Sequence, residues 1–349
     1  MAFCRKIAIA LSGGVDSAVA AALLQRQGWD LHGVHLRLSP LAAPPDQVEA
    51  LAHHLEIPLT VIDLQQEFAR EVLDYFVSEY ARGRTPNPCV RCNATIKFGR
   101  LWDHLKKGGV THLATGHYAR LNLDGDGAPG LFRGADRRKD QSYFLSRLPL
   151  SLLPNLLFPL GEMTKAEVRL ISREVGLPVR EDQPESMELC FIPAGDYQDF
   201  LQARRGFCGP PGDFVDPGGR LLGRHRGLEG YTVGQRRGLG ISAPEPFYVI
   251  DIQPEANRVV LGHRQELLSP GLVASRMNWL ITPPAGEIEA VAVIRSRHAG
   301  VRARITPRGA GEVQVAFATP QSAVAPGQAV AFYDGDRLLG GGWIEARIK

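Results

Sequence analysis

The sequence lacks the hydrophobic segments that would place the protein in or across a membrane. No run of 18 apolar residues occurs among its 349 residues, and its first residues lack the basic, apolar, small order of a signal peptide. We therefore expect a cytoplasmic protein with no membrane partner. Internal repeats and low-complexity tracts are also missing, and aromatic residues make up only 7%. The 44% of hydrophobic residues nevertheless suffices for two or three domains with packed cores.

Cysteines are few. The five are Cys4, Cys89, Cys92, Cys190 and Cys208. In a cytoplasmic protein of this length they are expected to be thiols, metal ligands or redox catalysts rather than a disulfide framework.

Lysine is scarce in the second half of the chain. Residues 201–349 hold 18 Lys+Arg against 13 Asp+Glu, and all but one of the 18 are arginine, whereas residues 1–200 hold 22 against 24. This excess of arginine is compatible with contact to a nucleic-acid backbone, and equally with a solvated basic surface.

The pattern of apolar runs changes near residue 200. Before it, short strand-like runs alternate with helical patterns, which predicts an α/β domain over 1–200 with a doubly wound parallel sheet. Beyond it, Gly/Pro-rich turns separate short strands. That texture predicts a small β-rich central domain over 201–269 and a C-terminal β-barrel over 270–349.

The segment "SGGVDS", Ser12 to Ser17, follows a strand, precedes a helix and contains no lysine. Its glycines and hydroxyls at a helix N-terminus suit an anion, and without a Walker lysine they suit pyrophosphate as a leaving group. Asp16 makes sense beside phosphates if it helps to hold Mg²⁺. The simpler interpretation is a glycine turn that caps a helix.

A cysteine pair, Cys89 and Cys92, lies in "GRTPNPCVRCN". We expect it just before a helix that begins near Asn93, where the helix N-terminus, Arg91 and Lys97 would lower the thiol pKa values. A structural zinc site needs further ligands that are not evident. Inert buried thiols, sulfur chemistry and an iron–sulfur cluster all stay open. Cys190, in "ESMELCFIP", is a further candidate sulfur carrier.

The hexapeptide resembles the PP-loop of ATP pyrophosphatases, which transfer AMP to a substrate oxygen. Over nearly its full length the chain resembles the tRNA-specific 2-thiouridylase family. The matching segments are "SGGVDS", "GRTPNPCVRCN", "ATGHYAR", "RGADRRKDQSYFL", "FPLGEMTKAEVR", "ELCFIP", "YTVGQRRGLGI" and "PQSAVAPGQAVAFYDGDRLLGGGWI". Other PP-loop ligases and amidotransferases are the alternative class, and they need no paired thiols.

The resemblance implies a reaction and its partners. ATP with Mg²⁺ would adenylate O2 of the wobble uridine of tRNA, and sulfur from a persulfide would displace AMP. A sulfur-donor or relay protein is implied as a second partner. Cys92 matches the family's nucleophile and Cys190 its persulfide-bearing cysteine, so the resemblance also implies a disulfide between them after turnover.

The resemblance assigns further residues by position. Those on the ATP side are Ala10, Leu11, Ser12, Gly13, Gly14, Val15, Asp16, Ser17, Leu36 and Gly116. Those on the tRNA side are Asn87, Pro88, Cys89, His117, Lys139, Asp140, Gln141 and Gln328. Arg295 and Arg297 are further candidate tRNA contacts, because they alternate in "AVIRSRHAG". We expect Arg295 and Arg297 to share one face of a strand.

The chain departs from better-known members at Cys89, where they carry aspartate. Cys89, Cys92 and Cys190 together resemble the three cysteines with which related thiolation enzymes hold a [4Fe–4S] cluster. Such a cluster, with one iron open to sulfide, is therefore a second interpretation beside the persulfide route.

Overall fold

The computed structural model describes residues 7–39, 45–123, 127–179, 189–192, 197–205 and 209–349. Its first part is built on a five-stranded parallel sheet of order β3-β2-β1-β4-β7. The strands are β1 (Ile7–Ala10), β2 (Leu31–Arg37), β3 (Leu59–Asp63), β4 (His112–Ala114) and β7 (Leu156–Leu157). β1 and β4 are neighbours although four helical regions separate them in sequence. The crevice at their carboxyl ends is where such sheets bind ligands.

Helices cover both faces of this sheet. They are α1 (Val15–Arg26), α2 (Pro45–His54), α3 (Gln65–Phe68), α4 (Asp74–Ala81), α5 (Pro88–Cys92), α6 (Leu101–Lys107), α7 (Lys165–Val175) and α8 (Tyr197–Arg205). Two π-helical segments, Ala69–Leu73 and Asn93–Arg100, join α3 to α4 and α5 to α6. Among the helices that the structure describes, none combines the length and the apolar character needed to cross a bilayer.

Two β structures follow, as the sequence predicts. A four-stranded sheet of order β10-β11-β8-β9 contains β8 (Gly212–Val215), β9 (Leu221–His225), β10 (Tyr248–Gln253) and β11 (Arg258–Gly262). A closed six-stranded barrel follows, in which β12 pairs with β17. Its strands are β12 (Leu268–Trp279), β13 (Ile288–Val293), β14 (Val301–Gly309), β15 (Glu312–Ser322), β16 (Ala329–Asp334) and β17 (Arg337–Ile348).

The barrel is attached to the parallel-sheet domain through a shared core. Buried barrel residues such as Tyr333 and Trp343 belong to the same apolar cluster as Phe76 and Ile96 of the first domain. A hairpin of the first domain, β5 (Ala119–Leu123) and β6 (Pro129–Arg133), also extends the barrel sheet beside β17. Burial of this apolar surface holds the two domains in a fixed relation.

Candidate active site

The Ser12–Ser17 loop is held in shape by its own hydroxyls. Ser17 Oγ accepts a hydrogen bond from Ser12 N at 3.1 Å and donates one to Gly14 O at 3.0 Å. Gly13 has a φ of +81°, which glycine adopts without strain. The loop therefore leads the chain from β1 into α1 with the free N–H groups of the helix N-terminus at the carboxyl edge of the sheet, a setting that favours an anion.

Gly116, just beyond β4, packs directly on this loop. A Cβ atom at Gly116 would lie 2.8 Å from the carbonyl carbon of Asp16 and 2.9 Å from Ser17 N, both of them rigid backbone atoms. Only a glycine fits such a contact without a shift of the loop. The partly buried Ala10 and Leu36 line the adjoining core on one face of the sheet, and the partly buried Val15 packs on the other.

Although the Ser12–Ser17 loop contains no lysine, a lysine from another part of the chain lies beside it. Lys165, the first residue of α7, places Nζ 2.6 Å from Asp16 Oδ1, and the Tyr118 hydroxyl donates to the same oxygen at 2.7 Å. The Lys165 side chain is 11% exposed. A cation at a helix N-terminus opposes the helix dipole. Its position is therefore explained by the Asp16 carboxylate, and sequence spacing gave no sign of it.

The thiol pair lies within a helix rather than before one. Asn87 caps α5, with Oδ1 accepting from Val90 N at 3.1 Å, and Pro88 occupies the first helical position. Helical structure then continues past Cys92 without a break into the π-helical segment. The prediction of a helix start near Asn93 was therefore wrong by about one turn, because the Asn-Pro pair is itself the N-terminal signal.

The barrel clamps the loop that precedes this helix. Gln328 donates from Nε2 to Pro86 O at 3.0 Å and to Thr85 O at 3.3 Å, while its Oε1 accepts from Asn87 Nδ2 at 3.3 Å. Asn87 Nδ2 also contacts the buried Tyr143 hydroxyl at 3.3 Å. Gln328 thus fixes the Cys89–Cys92 helix, which is a structural task in addition to the predicted contact with tRNA.

The thiol pKa values move in the direction opposite to the one expected from sequence. Burial raises the pKa of Cys92 to about 12, and the positive charge of Lys97 only partly offsets it. Cys89 has an exposed surface, yet desolvation by the surrounding protein, together with the charge of Cys190, raises its pKa to about 11. The predicted lowering was wrong because desolvation outweighs the charge of Lys97.

Cys190 lies in a turn beside the same two thiols. The charges of Cys190 and Lys97 act on the pKa of both Cys89 and Cys92, which places these four groups in one neighbourhood. Phe191 anchors the turn, with its ring centroid 5.3 Å from that of Phe76 and 5.2 Å from that of Phe200. Cys190 is exposed, whereas Cys92 is buried. Cys4 and Cys208 lie outside the described residues.

His117 connects the nucleotide loop with the thiols. It follows Gly116 and is buried, with Nδ1 2.7 Å from Thr115 Oγ1 and its ring 5.7 Å from that of Phe98. Burial first, and then the charge of Lys97, hold its pKa well below the usual value. His117 is therefore neutral at pH 7, and the uncharged ring lies between the two parts of the site.

Two of the three residues in the Lys139–Gln141 segment face inward. Asp140 has an 8% exposed side chain that accepts from Gly134 N and Ser142 N, each at 3.0 Å, and pairs with Arg133 at 3.2 Å. Gln141 Oε1 accepts from Tyr118 N at 3.0 Å. Asp140 and Gln141 thus shape the segment, and the partly exposed Lys139 is the member best placed to meet a ligand.

Arg295 and Arg297 are exposed, but they do not share a strand face. β13 ends at Val293, and the two arginines lie in a turn closed by a hydrogen bond from His298 N to Arg295 O at 2.9 Å. The predicted strand placement was wrong because β13 ends two residues before Arg295. The charge of Arg295 reaches the buried Tyr143, so this turn lies on the side of the barrel that faces the thiol helix.

No group of three or more His, Cys, Asp or Glu side chains in the described parts of the chain is arranged to hold a metal ion. In this conformation the three thiols are therefore not gathered around a single metal ion.

Comparison with known proteins assigns all three parts of the chain. Residues 5–194 match the family described as tRNA methyl transferase HUP domain, residues 198–263 its PRC-barrel domain, and residues 269–344 the aminomethyltransferase beta-barrel domain. The protein named tRNA-specific 2-thiouridylase MnmA from Carboxydothermus hydrogenoformans is 46% identical over 99% of this chain and 98% of its own. Its namesake from Geobacter metallireducens is 45% identical with the same coverage. The chain belongs to the tRNA-specific 2-thiouridylase family.

Proposed function

We propose that the protein catalyses the ATP-dependent 2-thiolation of the wobble uridine of tRNA. The observation that carries the proposal is the continuous path from the nucleotide loop to the thiols. Gly116 packs on the Ser12–Ser17 loop, the adjoining His117 contacts Phe98, and Lys97 acts on the pKa of Cys89 and Cys92. An adenylated oxygen formed at the loop would therefore be within reach of sulfur chemistry at the helix. Residues 1–200 would form the catalytic domain, with 201–269 and 270–349 as the other two.

In the first step, uridine O2 attacks the α-phosphorus of ATP, bound with its Mg²⁺, and pyrophosphate leaves. The backbone N–H groups of Gly13 and Gly14 and the helix N-terminus would receive the pyrophosphate. Lys165 would move from Asp16 to a phosphate oxygen, which frees the Asp16 carboxylate to hold the Mg²⁺ that accompanies ATP. The loop then needs no lysine of its own, because α7 delivers one.

In the second step, sulfur replaces the adenylated oxygen. In one route the Cys92 thiolate attacks the inner sulfur of a Cys190 persulfide and releases hydrosulfide, which adds to C2 and expels AMP. In the other route the terminal persulfide sulfur adds to C2 and expels AMP first, and Cys92 then breaks the S–S bond. Both sequences end with 2-thiouridine, AMP and a Cys92–Cys190 disulfide. A two-electron dithiol reductant must then restore the thiols. The persulfide itself would come from a sulfur-donor or relay protein of the cytoplasm.

The raised pKa of Cys92 explains why sulfur transfer would not begin before the substrate is bound. A thiol with a pKa of about 12 is protonated at pH 7 and does not attack indiscriminately. Lys97 is the nearby cation that favours the thiolate, and RNA that orders the exposed Cys190 turn would decide when the persulfide comes within reach of Cys92. The nucleophile is thereby held inactive until the substrate base is present.

We propose the persulfide route rather than a [4Fe–4S] cluster because the thiols do not form a metal-binding group in the described parts of the chain. Cys89 distinguishes the two routes. A cluster needs it as a ligand, so Cys89→Ser would abolish thiolation and iron binding. The persulfide route needs only Cys92 and Cys190, so Cys89→Ser would retain 2-thiouridine formation in an iron-free protein.

The tRNA would lie across the catalytic domain and the barrel. Lys139 and the Arg295–Arg297 turn are the exposed basic groups on this path, whereas Asn87, Asp140 and Gln328 position the backbone that meets the base. Phosphate contacts would supply affinity, and flipping of the wobble base toward the thiol helix would supply selection.

The test is a thiolation assay on unmodified tRNA with a persulfide donor, in which 2-thiouridine and AMP are quantified by mass spectrometry. Cys92→Ser and Cys190→Ser are expected to abolish 2-thiouridine and the AMP that sulfur expels, while pyrophosphate from the adenylation step is still released in the presence of tRNA. Retention of full thiolation by either variant rejects the proposed roles. AMP formation that needs no tRNA and survives both changes would instead favour another PP-loop ligase.

A further inference from the structure

Three arginines and two aromatic rings meet where the catalytic domain joins the barrel. The Arg91 guanidinium lies 5.3 Å from the centroid of Tyr75, and those of Arg147 and Arg276 lie 5.6 and 5.9 Å from the centroid of Trp343. The two rings are themselves 5.7 Å apart. We call these five residues the arginine–aromatic cluster. Its members come from α4, α5, the segment after Leu145, β12 and β17, so the cluster exists only in the assembled fold.

The positive charge of the cluster is poorly compensated. Arg91 donates to the backbone O of Glu71 at 3.2 Å, and Arg147 donates to backbone oxygens, including that of Arg276. Within the described parts of the chain neither has a carboxylate partner. Among the residues that the structure describes, Glu345, at 3.8 Å, is the one carboxylate paired with Arg276.

Two carboxylates beside the cluster are already bound to other arginines. Glu345 accepts from Arg84 Nη1 at 2.7 Å, and Glu71 accepts from Arg100 at 2.6 Å. Like charges that crowd together without counter-ions raise the free energy of the unliganded protein. The pKa of Arg147 shows this, because burial and the neighbouring Arg276 and Arg91 lower it to about 10. Such an arrangement is stabilised by an incoming anion.

The backbone at Arg276 is held in a conformation that a side-chain-bearing residue rarely adopts. Its φ is +48°, at the irregularity between Ser275 and Asn278 in the pairing of β12 with β17. The left-handed region disfavours residues with a Cβ, and glycine would remove the strain. The exposed Arg276 thus lies with Arg147 at the Trp343 ring, a concentration of positive charge that favours an anionic ligand.

We propose that the arginine–aromatic cluster binds phosphodiester groups of the substrate RNA beside the helix that carries Cys92. The inference rests on the proposed function. Guanidinium forks match phosphate oxygens, and three of them across a domain junction suit an extended chain of phosphates better than a single anion. Arg91 lies between Cys89 and Cys92 on α5, about 100° around the helix from Cys92. Phosphates held on this flank would therefore keep the RNA in register while the wobble base enters the thiol side.

The cluster would also explain how the two domains act together on one substrate. Arg91 and Arg147 belong to the catalytic domain and Arg276 to the barrel, so one run of phosphates would contact both. Trp343 is buried, with only 2% of its surface exposed. Its ring would therefore hold the guanidinium groups in place rather than stack with bases.

The experiment measures the binding of unmodified tRNA by the full-length protein at several salt concentrations. Arg147→Gln and Arg276→Gln are each expected to weaken binding about tenfold and to reduce the slope of log K against log salt by about 0.7–0.9. Arg147→Lys keeps the positive charge but loses the forked guanidinium, so it should weaken tRNA binding while the slope of log K against log salt stays unchanged. Arg26→Gln, the same change at the exposed far end of α1, is the matched control and should change neither.

Arg276→Gly removes the possibility that a folding defect mimics the effect. Glycine accepts the positive φ, so this variant should melt at or above the temperature of the unaltered protein and still bind tRNA weakly. The inference is overturned if Arg147→Gln and Arg276→Gln bind tRNA with unaltered affinity and salt slope. It is also overturned if these variants bind tRNA normally and instead lose sulfur transfer from a donor protein. In either case thiolation by the unaltered protein would leave the proposed function standing. An unaltered protein that binds no tRNA would overturn both.

Discussion

Lys165→Met is the substitution that tests most sharply how a loop without a lysine handles ATP. Lys165 Nζ lies 2.6 Å from Asp16 Oδ1, and its side chain is 11% exposed, so the charge is already fixed at the loop before ATP arrives. Removal of one preorganised charge that stabilises a transition state costs about 10²–10³-fold in rate. We expect adenylation to fall by that factor.

The structure also predicts that this variant stays folded. Asp16 keeps its hydrogen bond from the Tyr118 hydroxyl, its side chain is 37% exposed to solvent, and the unfavourable cation at the α7 N-terminus disappears. The free energy of unfolding should therefore change by no more than about 1 kcal/mol. Urea denaturation followed by circular dichroism measures it.

The assay is the single-turnover release of pyrophosphate from ATP in the presence of tRNA. Lys107→Met, at the exposed end of α6, carries the same change of charge and serves as the control, with an unaltered rate. A Lys165→Met protein that releases pyrophosphate within about threefold of the unaltered rate would refute the reasoning. The lysine would then be a structural partner of Asp16 and nothing more.

Further substitutions and titrations test other parts of the site. Gly116→Ala should lower the free energy of unfolding by about 1–3 kcal/mol and weaken ATP binding, because its Cβ would meet the backbone of the nucleotide loop. Gly286→Ala, whose Cβ would meet open space, is the control, and urea denaturation and ATP titration should show it to be neutral. Alkylation of the exposed Cys89 by iodoacetamide should accelerate about tenfold per pH unit from pH 7 to 10, since the thiolate reacts and its pKa is about 11; a plateau below pH 8 would disprove the raised value. Asn87→Ala should lower the free energy of unfolding by about 1–2 kcal/mol through loss of the α5 cap, and unchanged urea stability would contradict that role.

Much of the fold was predictable because its signals are local. Strand–helix alternation before residue 200 and Gly/Pro-punctuated strands beyond it are patterns of single segments, and both the parallel sheet and the barrel are confirmed. The hairpin that carries β5 and β6 into the barrel sheet was not predicted. Its register with Arg337 depends on a contact more than 200 residues away in sequence.

The sequence identifies the residues of the candidate site, but it does not give their electrostatics. The Ser12–Ser17 loop, Gly116 and the thiols carry recognisable spacing, whereas the approach of Lys165 depends on how α7 packs beside α1. The capping box of Thr164 and Glu167 does mark the start of α7 in the sequence. The thiol pKa values were predicted in the wrong direction because desolvation is a property of the assembled core and not of the segment.

The central claim is that AMP is attached to the uridine oxygen that sulfur replaces, and an isotope label tests it most directly. A tRNA substrate carrying ¹⁸O at C2 of the wobble uridine is thiolated with ATP and a persulfide donor, and the AMP produced is analysed by mass spectrometry. We predict that the phosphate of AMP carries one ¹⁸O atom for each 2-thiouridine formed. Unlabelled AMP alongside complete thiolation would contradict the account, because the oxygen would then have left by a route that does not involve adenylation.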